Sequence, residues 1–88
     1  PLQAYIEKKA PKLERHLPQI GETRVELRIE ATKSAADSKV LQMTLRLQNG
    51  KLLRVEERGA DFYTIFDRVL DKMQRQIDRY KGKYWGRK

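Results

Sequence analysis

Apolar side chains return every three or four residues at Leu2, Tyr5, Ile6, Leu13 and Leu17, the spacing of one face of a helix. The pattern predicts a first helix from Leu2 to Leu17. Pro11 lies inside it and removes a backbone donor while crowding the carbonyl of Glu7, so a kink or an early helix end is expected there. Pro18 and Gly21 act as stop signals. From Thr23 to Ala31 the period changes to two, with Val25, Leu27, Ile29 and Ala31 on one side and Arg24, Glu26, Arg28 and Glu30 on the other. That alternation predicts a half-buried strand. Residues 32 to 39 carry no period and read as an exposed loop, and a second strand follows through Leu41, Met43, Leu45 and Leu47.

Asn49-Gly50 marks a hairpin turn, and the hydrophobic pattern selects its register. A two-residue loop would set Leu45 opposite Arg54 and mix the faces. A loop of Gln48, Asn49 and Gly50, with Gly50 left-handed, pairs Leu45 with Leu53 and Met43 with Val55 and keeps one face apolar. The third strand then runs from Lys51 to about Arg58. Asp61 is suited to cap a long second helix, whose apolar face holds Phe62, Ile65, Phe66, Val69, Leu70, Met73, Ile77 and Tyr80. Gly82 is expected to fray its end. The order helix, strand, strand, strand, helix implies an α+β fold, an antiparallel sheet with two parallel helices packed on one face. Residues 1–83 form one folded domain in this reading and residues 84–88 a basic C-terminal tail.

Composition narrows the function. With 88 residues the chain suits one small domain. It has no cysteine, which excludes disulfides, thiolate metal sites and thiol catalysis. No apolar run approaches the length of a membrane span, and no signal-like segment precedes the domain. Twenty Lys and Arg against twelve Asp and Glu give a net charge of +8, more than solubility requires, and point to a polyanionic partner. Residues 1–17 carry +2, residues 18–67 are neutral and residues 68–88 carry +6.

On a wheel of about 100° per residue, Arg68, Lys72, Arg75, Arg79 and Lys83 form one cationic ridge on the second helix. Asp67, Asp71 and Asp78 form a separate acidic stripe. The first helix repeats the scheme, with Lys8, Lys12 and Arg15 as ridge and Glu7 and Glu14 as acidic flank. With the helices parallel, the acidic stripe of one faces the basic stripe of the other, and ion pairs help to dock them. A cationic row of this length meets several phosphates of a folded RNA. Mixed stripes are also what an ordinary solvated helix face shows, but the net charge favours the phosphate reading.

Other candidates are weaker. His16 is the only histidine and has no partner for a metal or a catalytic dyad. Asp67 and Asp71 lack the loop of a calcium site. Tyr84 and Trp85 sit among bases near the C-terminus, where they would either stack on nucleotides or pack back on the domain. No phosphate-binding glycine loop or nucleophile elbow occurs. No enzyme, cofactor, metal, membrane or small-molecule substrate is expected.

Four stretches together resemble the ribosome hibernation-promoting factor and protein Y family. They are the helix 1 run from Tyr5 to His16, the hairpin from Asn49 to Glu57, the segment Asp61 to Asp67 and, most sharply, Asp71-Lys-Met-Gln-Arg-Gln-Ile-Asp-Arg-Tyr-Lys81. The resemblance implies a protein that binds 16S-type rRNA in the decoding region of the small ribosomal subunit, covers the messenger and transfer RNA sites, and keeps idle ribosomes inactive. It implies no chemistry, and a location in the bacterial cytoplasm or chloroplast stroma. The family's RNA-contacting bases fall on Lys9, Lys12, Arg15, Lys72, Arg75 and Arg79. Lys9 alone lies off the ridges, nearer the core. The family's order is β-α-β-β-β-α, so the resemblance implies that a first strand is missing here: either the chain is a trimmed product, or its sheet has an open edge that another strand could occupy, a place for self-association. An absent C-terminal domain would be a second route to it.

Two other readings compete. Without the first strand the order equals that of a double-stranded RNA-binding module, although Asp61 and Asp67 at the start of helix 2 would oppose a phosphate. A protein-interaction module using the open sheet edge would bind in a salt-insensitive way.

Overall fold

The computed structural model describes residues 1–31 and 35–84. Its elements are α1 (Leu2–Lys9), α2 (Pro11–His16), β1 (Ile20–Ile29), a short 3-10 turn at Ala35–Asp37, β2 (Lys39–Leu47), β3 (Leu52–Gly59) and α3 (Phe62–Tyr84). The strands form one antiparallel sheet in the order β1-β2-β3. The helices gather on its apolar face, which gives the expected α+β class.

Pro11 divides the first helix. Ala10 keeps helical angles (φ −59°, ψ −37°), and Pro11 opens α2, the position at which a missing N–H costs least. Leu13 and Leu17 stay buried beyond the break, so the apolar period survives it. β1 begins at Ile20, with an irregularity between Ile20 and Glu22. β2 begins at Lys39, because that residue is in register with both Ile29 and Gly59.

The hairpin adopts the register that the hydrophobic pattern selects. Leu45 faces Leu53 and Met43 faces Val55. Gly50 has φ 90°, a left-handed backbone that costs other residues about 1–2 kcal/mol. The Leu47 N–H donates to the Lys51 carbonyl at 2.8 Å and the Gly50 N–H to the Leu47 carbonyl at 2.9 Å, which closes the three-residue loop.

Asp61 caps α3, accepting from the Thr64 N–H at 3.0 Å and the Thr64 hydroxyl at 2.8 Å. Ile65, Phe66, Val69, Met73, Ile77 and Tyr80 of α3 are buried against Leu41, Met43, Leu45, Leu53 and Val55, joined by Leu13 and Leu17. At about 1.5–3 kcal/mol per large apolar side chain, this face supplies most of the docking energy. Gly59 allows α3 to approach β3 closely, since a Cβ there would stand 3.1 Å from the Ile65 side chain. The helix does not fray at Gly82 but continues to Tyr84. Tyr80 anchors the preceding turn, being buried and accepting a hydrogen bond from Asn49 at 3.1 Å, and this offsets the roughly 1 kcal/mol helix penalty of glycine. Residues 85–88 of the expected basic tail lie outside the described residues, Trp85 among them.

The half-buried expectation for β1 holds only at one end. Val25 is half-buried, but Leu27 and Ile29 are 43% and 72% exposed. α3 lies on β2 and β3 while α1 lies beside α3, so neither helix covers the far end of β1. An open groove of about 400 Å³ separates α1 from β1, lined by Leu2, Gln3, Ile6, Glu7, Val25 and Leu27. The outer edge of β1 pairs with no strand among the described residues. No helix there is long and apolar enough to cross a membrane.

Candidate nucleic-acid interface

α1 and α3 meet through an aromatic and charged contact. The Tyr5 ring packs edge-on against Tyr63 and Phe66, with centroids 5.0 and 6.0 Å apart. Its hydroxyl donates to Asp67 at 2.7 Å and accepts from Lys9 Nζ at 2.9 Å. Lys9 also pairs with Asp67 at 3.7 Å. Tyr5 meets Tyr63 and Lys9 meets Asp67, so contacts advance together along both chains and the helices run parallel, as the sequence implied. The hydrogen bond to Tyr5 is the main reason the Lys9 ammonium is held above the usual lysine pKa, with Asp67 adding to it.

The expected ion pairing across the cleft is therefore present, but Lys9 makes it rather than the ridge. The ridge residues of the first helical segment, Lys8, Lys12 and Arg15, are exposed. So are Arg68, Lys72, Arg75, Arg79 and Lys83 on α3. Their surroundings differ. Lys8, Lys12, Arg15, Arg68 and Arg79 have no carboxylate within ion-pair distance among the described residues. Arg75 bonds Asp71 one turn earlier at 2.9 Å. Lys72 hydrogen-bonds Glu57, whose side chain is only 17% exposed.

Glu57 was not apparent as a partner from sequence, yet strand alternation places it. The parity that turns Leu53 and Val55 inward also turns Glu57 inward, opposite Leu41. Gln76 donates to the Arg54 carbonyl at 3.0 Å, so the cationic ridge of α3 leans toward β3 while Asp67 faces α1. The structure thus presents two separate cationic rows with the Tyr5–Lys9–Asp67 contact between them.

On the opposite side of the sheet, charges are largely matched. Arg28 pairs with Glu30 at 2.8 Å and Glu56 at 3.5 Å, and Arg58 with Glu30 at 3.0 Å. In register between Arg28 and Arg58 lies Val40, fully buried although it points away from the main core. These contacts hold the Glu30 carboxyl below its ordinary pKa, through Arg28 first. Among the described residues, Lys8, Lys12, Arg15, Arg68 and Arg79 on the helical side have no carboxylate at ion-pair distance, whereas on this face Arg24, Arg28, Arg46 and Arg58 are paired and Arg54 is not.

Among the described residues no group of three His, Cys, Asp or Glu could hold a metal ion. Asp67 and Asp71 are already engaged by Tyr5 and Lys9 and by Arg75. His16 is exposed at the end of α2.

A family model described as Sigma 54 modulation protein / S30EA ribosomal protein matches residues 1–85. The chain belongs to that family. Two curated relatives carry the name ribosome hibernation promotion factor. The protein from Deinococcus radiodurans is 30% identical over 84 residues, 96% of this chain and 44% of the relative. The protein from Staphylococcus aureus is 31% identical over 80 residues, 91% of this chain and 40% of the relative. The chain spans less than half the length of these relatives. The match runs through both cationic helices, the hairpin and the capped start of α3.

Proposed function

We propose that this chain is the ribosome-binding module of a hibernation factor. In this reading it docks on rRNA in the decoding region of the small ribosomal subunit, blocks the messenger and transfer RNA sites, and keeps ribosomes inactive in the bacterial cytoplasm or chloroplast stroma. Binding, not catalysis, is its proposed role. The observation that carries the reading is the set of exposed cations along both helices, Lys8, Lys12, Arg15, Arg68 and Arg79, that no carboxylate neutralises among the described residues. Family membership and the names of the relatives support it. Lys9, Lys72, Arg75 and Lys83 complete the proposed RNA-facing set, and all four also interact with the protein's own groups.

Each phosphate contact contributes about one unit to the salt dependence of binding. Replacing Lys12, Arg15 and Arg68 together by Ala is expected to leave the fold intact and to lower the log–log salt slope of small-subunit binding by about three units. An unchanged slope would refute the assignment.

The order of helices and strands also supports a second reading, a double-stranded RNA-binding module. Against it, the first turn of α3 contains no basic residue and its cap is a carboxylate engaged by Thr64. Competition between duplex RNA and small subunits separates the two. Self-association through the open edge of β1 is a further part of the proposal, with Leu27 and Ile29 the apolar side chains exposed near that edge.

A further inference from the structure

α1 has little of its own to hold it in place. It is eight residues long and none of them is buried, and helices this short are marginal without tertiary contacts. Its junction with α2 is one bond short, since Pro11 has no N–H to donate to the Glu7 carbonyl. α2 is fixed separately, by Leu13 and by Leu17 at its end, both buried. Yet α1 carries Lys8, the first cation of the row that continues in Lys12 and Arg15.

What aims Lys8 is the contact of α1 with α3. The Tyr5 hydroxyl is its hub, donating to Asp67 at 2.7 Å and accepting from Lys9 at 2.9 Å, while the ring packs on Tyr63 and Phe66. Asp67 is the odd member of this contact. A carboxylate between two cationic rows repels phosphate. Its side chain is 52% exposed, so the ion pair with Lys9 adds little to stability. By charge alone, losing Asp67 would improve RNA binding.

We propose that Asp67 is a positioning residue for RNA binding, which latches α1 to α3 through the Tyr5 hydroxyl and so sets where Lys8 meets a phosphate. The inference rests on the ribosomal reading above and deepens it, by naming a negative side chain whose loss weakens the hold on a polyanion. Asn in its place keeps an oxygen that can accept from Tyr5, whereas Ala keeps none.

The test is small-subunit binding across a salt series by wild type, Asp67→Ala, Asp67→Asn, Tyr5→Phe and Asp78→Ala. Thermal melting verifies folding, and amide hydrogen exchange follows α1 with no ribosome present. Asp78 accepts from Gln74 of its own helix and serves as the charge-matched control. Asp67→Ala is expected to speed exchange in α1, to weaken binding about three- to tenfold and to lower the salt slope by about one unit, although it raises the net charge. Tyr5→Phe leaves the charge unchanged and is expected to move all three the same way, which covers the case in which Asp67→Ala does not fold. Asp67→Asn and Asp78→Ala are expected to bind at least as tightly as wild type and with its slope. If Asp67→Ala binds as well as wild type or better, charge dominates and Asp67 positions nothing. If Asp67→Asn loses as much as Asp67→Ala, the bond to Tyr5 is not what matters, and the latch is refuted. Unchanged exchange in α1 refutes it as well. If wild type ignores the subunit while exchange still responds to Asp67→Ala, the ribosomal reading fails and the role of Asp67 in RNA binding with it, while the contact between the helices stands.

Discussion

Asp61 combines two favourable placements in one side chain. It accepts from the N–H and the hydroxyl of Thr64 at the positive end of the α3 macrodipole. The hydroxyl bond leads the causes that hold its carboxyl below the ordinary aspartate pKa. Because the folded value lies below the unfolded value of about 3.9, the cap stabilises the fold above that pH and ceases to do so as pH falls through the folded value. Asp61→Asn keeps a capping oxygen but cannot titrate. Urea midpoints of this variant are expected to fall less steeply than those of wild type below about pH 4, and equal acid slopes would assign the acid sensitivity elsewhere. Lys9 makes a related point. Its charge is visible in sequence, yet its contacts with Tyr5 and Asp67 make it a clamp between helices as well as a candidate RNA contact.

At the level of elements, the ridge on α3 is uniform in sequence and uneven in space. Lys72 neutralises Glu57, a carboxylate that strand parity drives toward the core side. Removing Lys72 leaves that group partly buried and unpaired, at a cost of about 1–3 kcal/mol. Lys72→Ala is expected to destabilise by that amount in denaturant melts, and Glu57→Gln in the same chain to recover much of the loss. If the double variant is as unstable as the single one, Lys72 contributes through its stem and not through its charge. Arg68 and Arg79, on the same helix face but without such a partner among the described residues, are expected to affect binding more than stability.

For the whole molecule, the two leucines Leu27 and Leu41 are the informative pair. They face each other across β1 and β2 and carry the same strand-alternation signal. Leu41 is fully buried and Leu27 is 43% exposed, because α3 covers β2 and β3 and nothing described covers the outer edge of β1. Leu41→Ala is expected to cost about 2–5 kcal/mol, while Ile29→Ala, at the exposed end of β1, is expected to stay within about 0.5 kcal/mol. Equilibrium urea unfolding of this chain measures both. A loss at Ile29 as large as that at Leu41 would mean that another segment or molecule covers the edge.

The strands, the hairpin register, the Asp61 cap and the charge stripes were legible from sequence because each depends on neighbours a few residues away, through side-chain period, turn geometry or helix rotation. The Gln48-Asn49-Gly50 loop shows this most directly, since only one register keeps Leu45, Leu53, Met43 and Val55 on one face. The bonds of Asp67 to Tyr5 and Lys9 and the pairing of Lys72 with Glu57 join residues far apart in the chain. Those required the packing of α3 on the sheet and of α1 on α3, because distance between side chains from different elements is set by the burial of the whole apolar face and by nothing local to either residue.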